Sequence, residues 1–179
     1  MIYAAHHSRG SLGACPASNL TFFWRQNYSM KLAIGSDHGG FALKTHLIAD
    51  LKTRGIELED VGCDSEASVD YPDYAAAVAK KVSEGTAERG IAICTTGVGV
   101  SITANKFSGV RASLCLNVEM ARLTRQHNDS SVLCLSQKYT AEEAAQKIMD
   151  IWLSTEFEGG RHERRVRKIS GFEKPAGEG

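Results

Sequence analysis

Gly90-Ile91-Ala92-Ile93-Cys94-Thr95-Thr96-Gly97-Val98-Gly99-Val100-Ser101 is an apolar run that breaks into a glycine-bearing loop and then takes up helical spacing. Ile91-Ala92-Ile93 is continuous, as a strand buried on both faces must be, because one solvated face would impose alternation. Val132-Leu133-Cys134-Leu135 reads the same way. Working outward, β-rich runs at Lys31–Ser36, Ile56–Val61, Gly90–Cys94, Val110–Leu116 and Ser131–Leu135 alternate with helical stretches near 40–53, 72–84, 99–106, 118–127, 141–154 and 160–170. Thr140, ahead of Ala141-Glu142-Glu143, reads as a capping hydroxyl followed by acids in the first turn. Alternation of strand and helix implies parallel strands and right-handed crossovers, so the spacing predicts a three-layer α/β/α sandwich.

Composition narrows the function. The chain has 179 residues, 42% hydrophobic and 23% charged, which suits one ordinary globular domain. Its 21 basic residues cancel its 21 acidic ones, which argues against a nucleic-acid partner. No window approaches the roughly 20 apolar residues that span a bilayer, so no membrane partner is expected. The cysteines (Cys15, Cys63, Cys94, Cys115, Cys134) form no C-x-x-C pair. They read as reduced thiols of a cytoplasmic protein rather than a disulfide framework or a zinc site. Residues 1–29 lack the regular pattern and read as a poorly ordered extension whose true start could be Met30. Residues 30–170 form one domain, and 171–179 read as a flexible tail.

In an open parallel sheet, ligands bind beyond the carboxyl ends of the strands. Ser36-Asp37-His38-Gly39-Gly40 follows the first strand and the Cys94–Ser101 loop follows the third, while Arg125-Gln126-His127-Asn128-Asp129 stands just before the fifth. These groups are expected to face one crevice. The glycine loop suits backbone N–H groups converging on an anion. It matches no standard template: a Walker loop lacks its lysine until Lys106, a dinucleotide fingerprint is blocked by Ile102, and a cysteine phosphatase would need arginine where Val100 stands. What is left is an anion-stabilising loop with a cysteine at its mouth, where a helix N-terminus favours the thiolate. Taken singly, Cys94 also fits a buried strand end, Asp37 a turn cap and His127 a surface residue at a helix end. In the basic final helix, Arg161 and Arg165 are four apart and share a face, a spacing suited to one phosphate or simply to a solvated surface.

Gly35-Ser36-Asp37-His38-Gly39-Gly40-Phe41, Asp70-Tyr71-Pro72-Asp73-Tyr74, Gly97-Val98-Gly99-Val100-Ser101 with Ala104-Asn105-Lys106, Arg125-Gln126-His127-Asn128-Asp129 and Glu158-Gly159-Gly160-Arg161-His162 form an ordered series. Over residues 30 to about 170 it resembles the type B ribose-5-phosphate isomerases, in the family that also holds galactose-6-phosphate isomerase subunits. The resemblance implies a five-stranded Rossmann-like sandwich that interconverts D-ribose 5-phosphate and D-ribulose 5-phosphate in the pentose phosphate pathway, without metal or organic cofactor. It implies a homodimer with composite active sites, or a tetramer. By resemblance Cys94 is the base between C2 and C1, His127 opens the sugar ring with Asp37 assisting, and Thr96 with the Gly97, Val98, Gly99 and Ser101 backbone holds the enediolate. His38, Arg161 and Arg165 match phosphate contacts, and Tyr71 and Asn128 line the substrate. His127 and Asn128 would come from the partner subunit. Two substrate-binding positions depart from the family pattern: Thr95 replaces a usual glycine, and Lys138 stands where many members carry arginine, losing the bidentate fork. The alternatives are an isomerase of another phosphosugar, such as allose 6-phosphate or galactose 6-phosphate, and a non-catalytic phosphometabolite-binding module.

Overall fold

The computed structural model describes residues 30–173. The chain runs β1 (Lys31–Ser36), α1 (Phe41–Thr53), β2 (Glu57–Asp60), α2 (Tyr71–Ser83), β3 (Arg89–Cys94), α3 (Val98–Ala104), β4 (Ala112–Leu114), α4 (Val118–Asn128), β5 (Val132–Ser136), α5 (Glu142–Ser154) and α6 (Arg161–Ser170). A 3-10 turn at His38–Gly40 joins β1 to α1. The readings made over residues 1–29, Cys15 included, and over 174–179 lie outside the described residues. The first residues of the expected tail lie inside them: the Glu173 carboxylate accepts from Ser108 Oγ at 2.6 Å and Gly109 N at 2.9 Å.

The five strands are all parallel, in the order β2-β1-β3-β5-β4. Strand direction alternates side chains between two faces, and each face has its own core. Leu32, Ile34, Ile91, Ile93, Leu133 and Leu135 pack under α1, α4 and α5 with the fully buried Trp152. Ala33, Ala92, Cys94, Val132 and Cys134 pack under α2 and α3. The central strands β3 and β5 are buried throughout, as their continuous apolar runs require. The outer strands β2 and β4 are shorter and partly exposed. Going from β1 the chain winds outward to β2, then returns to β3 on the other side. The winding therefore reverses between β1 and β3, and the loops that follow these two strands flank the switch point.

The sequence signals at helix starts were of uneven value. Asn117 caps α4, its side chain accepting from Met120 N at 2.9 Å, and Pro72 stands in the first turn of α2. The Thr140 cap is corrected. The helix starts one residue later, on Ala141 and without a side-chain cap, because Thr140 turns inward and is buried with its hydroxyl unpaired.

Candidate active site

The switch point gathers one set of the expected residues. Cys94 ends β3 with 5% of its surface exposed, and its sulfur accepts from the Gly97 N–H at 3.1 Å. That bond is available because Gly97 takes a left-handed conformation, φ 75°, which turns its amide back over the strand end. The β5 end holds the loop from below: Gln137 N donates to Cys94 O at 3.1 Å, Lys138 N to Thr95 O at 3.0 Å, and Ser136 Oγ to Thr95 O at 2.9 Å. Val98 N donates to Thr96 Oγ1 at 3.3 Å. The expected cradle over Gly97–Ser101 is therefore partly satisfied internally. Its first-turn amides at Gly99 and Val100 have no acceptor within the helix.

Tyr71 lies over this loop. A Cβ on Gly99 would come within 2.6 Å of its ring, so this glycine is needed for close approach rather than for backbone freedom. Thr95 does not have positive φ, since Asp129 is the one non-glycine with it among the described residues. A Cβ at residue 39 would lie 2.2 Å from Thr95 Oγ1, so Gly39 in the first loop makes room for the unusual threonine in the third.

Across the switch, Asp37 is buried and its Oδ1 has no hydrogen-bond partner. Burial raises its carboxyl above the ordinary value, and His38 and the amides of Gly39 and Gly40 oppose that only in part. His38 Nδ1 sits against the Val69 backbone, 3.1 Å from the amide and 3.2 Å from the carbonyl, which leaves Nε2 to face elsewhere. Lys138 is exposed at the β5 end. Burial pushes the Cys115 thiol up to about 12 and the Cys134 thiol higher still, which keeps both as neutral thiols.

A second cluster stands at the other edge of the sheet. His127 and His162 stack, ring centroids 4.1 Å apart and planes 2° from parallel. Glu158 Oε2 lies 4.0 Å from His127 Nε2 and 3.6 Å from His162 Nε2. Arg161 Nε donates to His162 Nε2 at 3.2 Å, and Asn128, Arg161 and Arg165 are exposed nearby. Burial, helped by His127, Arg161 and Arg165, lowers the pKa of His162. The donor atoms of His127, Glu158 and His162 lie within 4.8 Å of one another. Parallel rings aim their lone pairs side by side rather than at one point, and Arg161 already occupies that of His162.

The one-crevice expectation is corrected for a single chain. A helix that leads into a parallel strand ends where that strand begins, so α4 delivers His127 to the edge opposite the strand ends. The bonding agrees. Arg89, at the start of β3, donates to Trp152 O at 3.2 Å and Leu153 O at 2.8 Å in the last turn of α5. Arg125 Nε reaches Thr155 O at 3.2 Å, and Glu158 N reaches Gln126 O at 3.1 Å. At about 3.3 Å per residue, the length of β3 puts roughly 16 Å between its two ends. Cys94, Thr95, Thr96, Asp37, His38, Tyr71 and Lys138 come together at one edge. His127, Asn128, Arg161 and Arg165 gather at the other.

The model of the ribose/galactose isomerase family matches residues 32–169. The chain belongs to that family. Ribose-5-phosphate isomerase B of Escherichia coli (strain K12) is 48% identical over 143 residues, covering 80% of this chain and 96% of that protein. Among solved structures, ribose-5-phosphate isomerase B of Clostridium thermocellum superposes with a TM-score of 0.79 at 49% identity, covering 79% of this chain and 96% of that one. The Mycoplasma genitalium ribose-5-phosphate isomerase B, solved with ribulose-5-phosphate bound, gives 0.78 at 42% identity, covering 82% and 97%. The family's doubly wound sheet is the one found here.

Within this family member, sequence reasoning missed two supports. Lys44 is buried, its ammonium donating to Asp60 Oδ1 at 2.9 Å, Asp60 Oδ2 at 2.8 Å and Cys63 O at 2.6 Å, which pins the loop leading towards Tyr71. The signal was its place on the apolar stripe Leu43, Leu47, Leu51. His162 is the buried residue of α6, but it sits in so basic a stretch that its inward position was not legible.

Proposed function

We propose that this chain is a ribose-5-phosphate isomerase that moves a proton between C2 and C1 of a phosphosugar at a site shared by two subunits. The carrying observation is the Cys94 sulfur held at the end of β3 under the Gly97 amide, 3.1 Å away. His127 removes the proton of the C1 hydroxyl and the ring oxygen gains one, opening the furanose, with Asp37 assisting. The Cys94 thiolate then takes the C2 proton, and the C2–H electrons form the enediolate with charge on O1. Loop amides and the Thr96 hydroxyl face that oxygen, each well-placed donor contributing about 3–4 kcal/mol. The thiol returns the proton to C1 while the O2 proton passes to O1, which leaves the C2 ketone and the C1 hydroxyl. Arg161 and Arg165, with His38, hold the phosphate, whose binding orients the distant carbons. Tyr71, Asn128, Thr95 and Lys138 line the sugar.

The separation of the two clusters supports a shared site. An isologous pair can set the Cys94 edge of one chain against the His127 edge of its partner, twice over. Val98 and Ile102 on α3 and Met120 and Leu123 on α4 are exposed apolar side chains on the two helices flanking the β4 edge, a surface suited to that contact. Four buried free thiols among the described residues suit a reducing compartment such as the cytoplasm.

The test is a comparison of kcat/KM across five- and six-carbon aldose phosphates in the presence of a chelator. We expect ribose 5-phosphate to be preferred at least tenfold; preference for a six-carbon sugar would reassign the substrate, and no turnover would leave a binding module. In Cys94→Ala, ligand should still bind while exchange of the C2 proton with solvent is lost. Retained exchange would show that another group is the base.

A further inference from the structure

Asp129 closes α4 with φ 47° and ψ 50°, a left-handed conformation that costs a side-chain-bearing residue energy and that glycine adopts freely. Its carboxylate bridges two guanidiniums, Oδ2 accepting from Arg111 Nη2 at 2.8 Å and Oδ1 from Arg125 Nη1 at 2.8 Å. Arg111 Nε also donates to the carbonyls of Asn128 and Asp129, both at 2.9 Å, and these are helix-end carbonyls that lack intrahelical donors. Arg125 is itself buried and donates to Ser130 O at 2.6 Å and Thr155 O at 3.2 Å. Arg111 leads into β4, its N–H donating to Ser131 Oγ at 3.0 Å and its carbonyl accepting from Ser131 N at 3.0 Å and Val132 N at 3.3 Å, where β5 begins. The last turn of α4 is thus bolted to the sheet edge on one side and to the segment after α5 on the other. His127 and Asn128 are the two residues that precede the bolt, and their side chains stay partly or wholly exposed.

We infer that Asp129 is a positioning residue for the proposed reaction: its Arg111–Asp129–Arg125 bridge holds the end of α4 so that the His127 imidazole is presented in a fixed geometry. A strained residue where glycine would fit freely points to a side chain that is needed. The inference rests on the proposed ring-opening role of His127.

That role separates two measurable steps. Ribulose 5-phosphate is acyclic, because its O5 is esterified and cannot close a furanose, so solvent-deuterium exchange at its C1 reads proton transfer alone. Conversion of ribose 5-phosphate reads ring opening as well. The experiment compares Asp129→Asn, Asp129→Gly and His127→Ala with wild type in both assays, alongside thermal midpoints. Asn and Gly both tolerate the left-handed backbone, so folded protein is expected. We expect both Asp129 variants to lose at least tenfold in ribose 5-phosphate conversion, to keep exchange in ribulose 5-phosphate within twofold, and to show no further loss when combined with His127→Ala. Unchanged conversion in Asp129→Gly overturns the inference and makes residue 129 a helix terminator only. Parallel loss of conversion and exchange overturns it too, as a general structural effect. If His127→Ala itself loses both activities together, or neither, the ring-opening role fails first and takes the inference with it.

Discussion

The imidazole of His127 lies flat on that of His162, with ring centroids 4.1 Å apart and planes 2° from parallel. Two rings at this spacing cannot both carry a proton without repulsion, and His162 is the one held neutral. It is buried, and Arg161 Nε points its hydrogen at the His162 Nε2 lone pair from 3.2 Å. The His127 side chain is 35% exposed and forms the outer member of the stack.

Stability should depend on pH through this stack. The His162 pKa is lowered in the folded state, so as pH falls below the unfolded value of about 6.5 the unfolded chain binds the proton first. His162 therefore contributes stability above that pH, and the contribution is lost as pH falls towards the lowered folded pKa. Urea denaturation between pH 8 and pH 5 should show wild type losing more stability than His162→Gln. Equal slopes would contradict the stack's electrostatics.

Asp37 should behave oppositely. Burial raises its carboxyl pKa, so its contribution is complete below the unfolded value of about 3.9 and is lost as pH rises through the raised folded value. At neutral pH the ionised group weighs against folding. Asp37→Asn should raise the thermal midpoint at pH 7.5 while lowering turnover about tenfold or more. A lower midpoint would mean that the carboxylate has a partner that holds it charged.

Lys44 tests the support beneath the switch-point loop. Its side chain is 3% exposed and that of its partner Asp60 is 42% exposed. Lys44→Met removes a buried charge but leaves Asp60 with access to water, so the loss should be about 3 kcal/mol, at the lower end for a broken buried pair. Because Cys63 O loses its donor and the loop towards Tyr71 loses its anchor, KM should rise more than kcat falls. A kcat loss with unchanged KM would disconnect this pair from substrate binding.

The architecture was legible because burial leaves a pattern in local sequence. The unbroken run at Ile91–Ile93 and its counterpart at Val132–Leu135 announce strands covered on both faces, and both are central. Ends were less legible where the competition is between a side chain and the core: Thr140 looked like a cap and instead turns inward. The candidate site was readable as a set of residues but not as a place. Motif order groups Cys94 and His127 in one expected chemistry, whereas only chain direction says that α4 carries His127 away from the strand ends. Lys44 and Asp129 act through tertiary partners, Asp60 in one case and Arg111 with Arg125 in the other, and no local spacing encodes those pairings.

The claim on which the rest turns is that one working site takes Cys94 from one subunit and His127 from another. Cys94→Ala and His127→Ala proteins, each nearly inactive alone, can be unfolded together, refolded and assayed. Half of randomly reassociated dimers are mixed, and each mixed dimer holds one site with both residues intact, so roughly a quarter of wild-type activity should return. A mixture as inactive as its components would place the whole site within one chain and contradict the account.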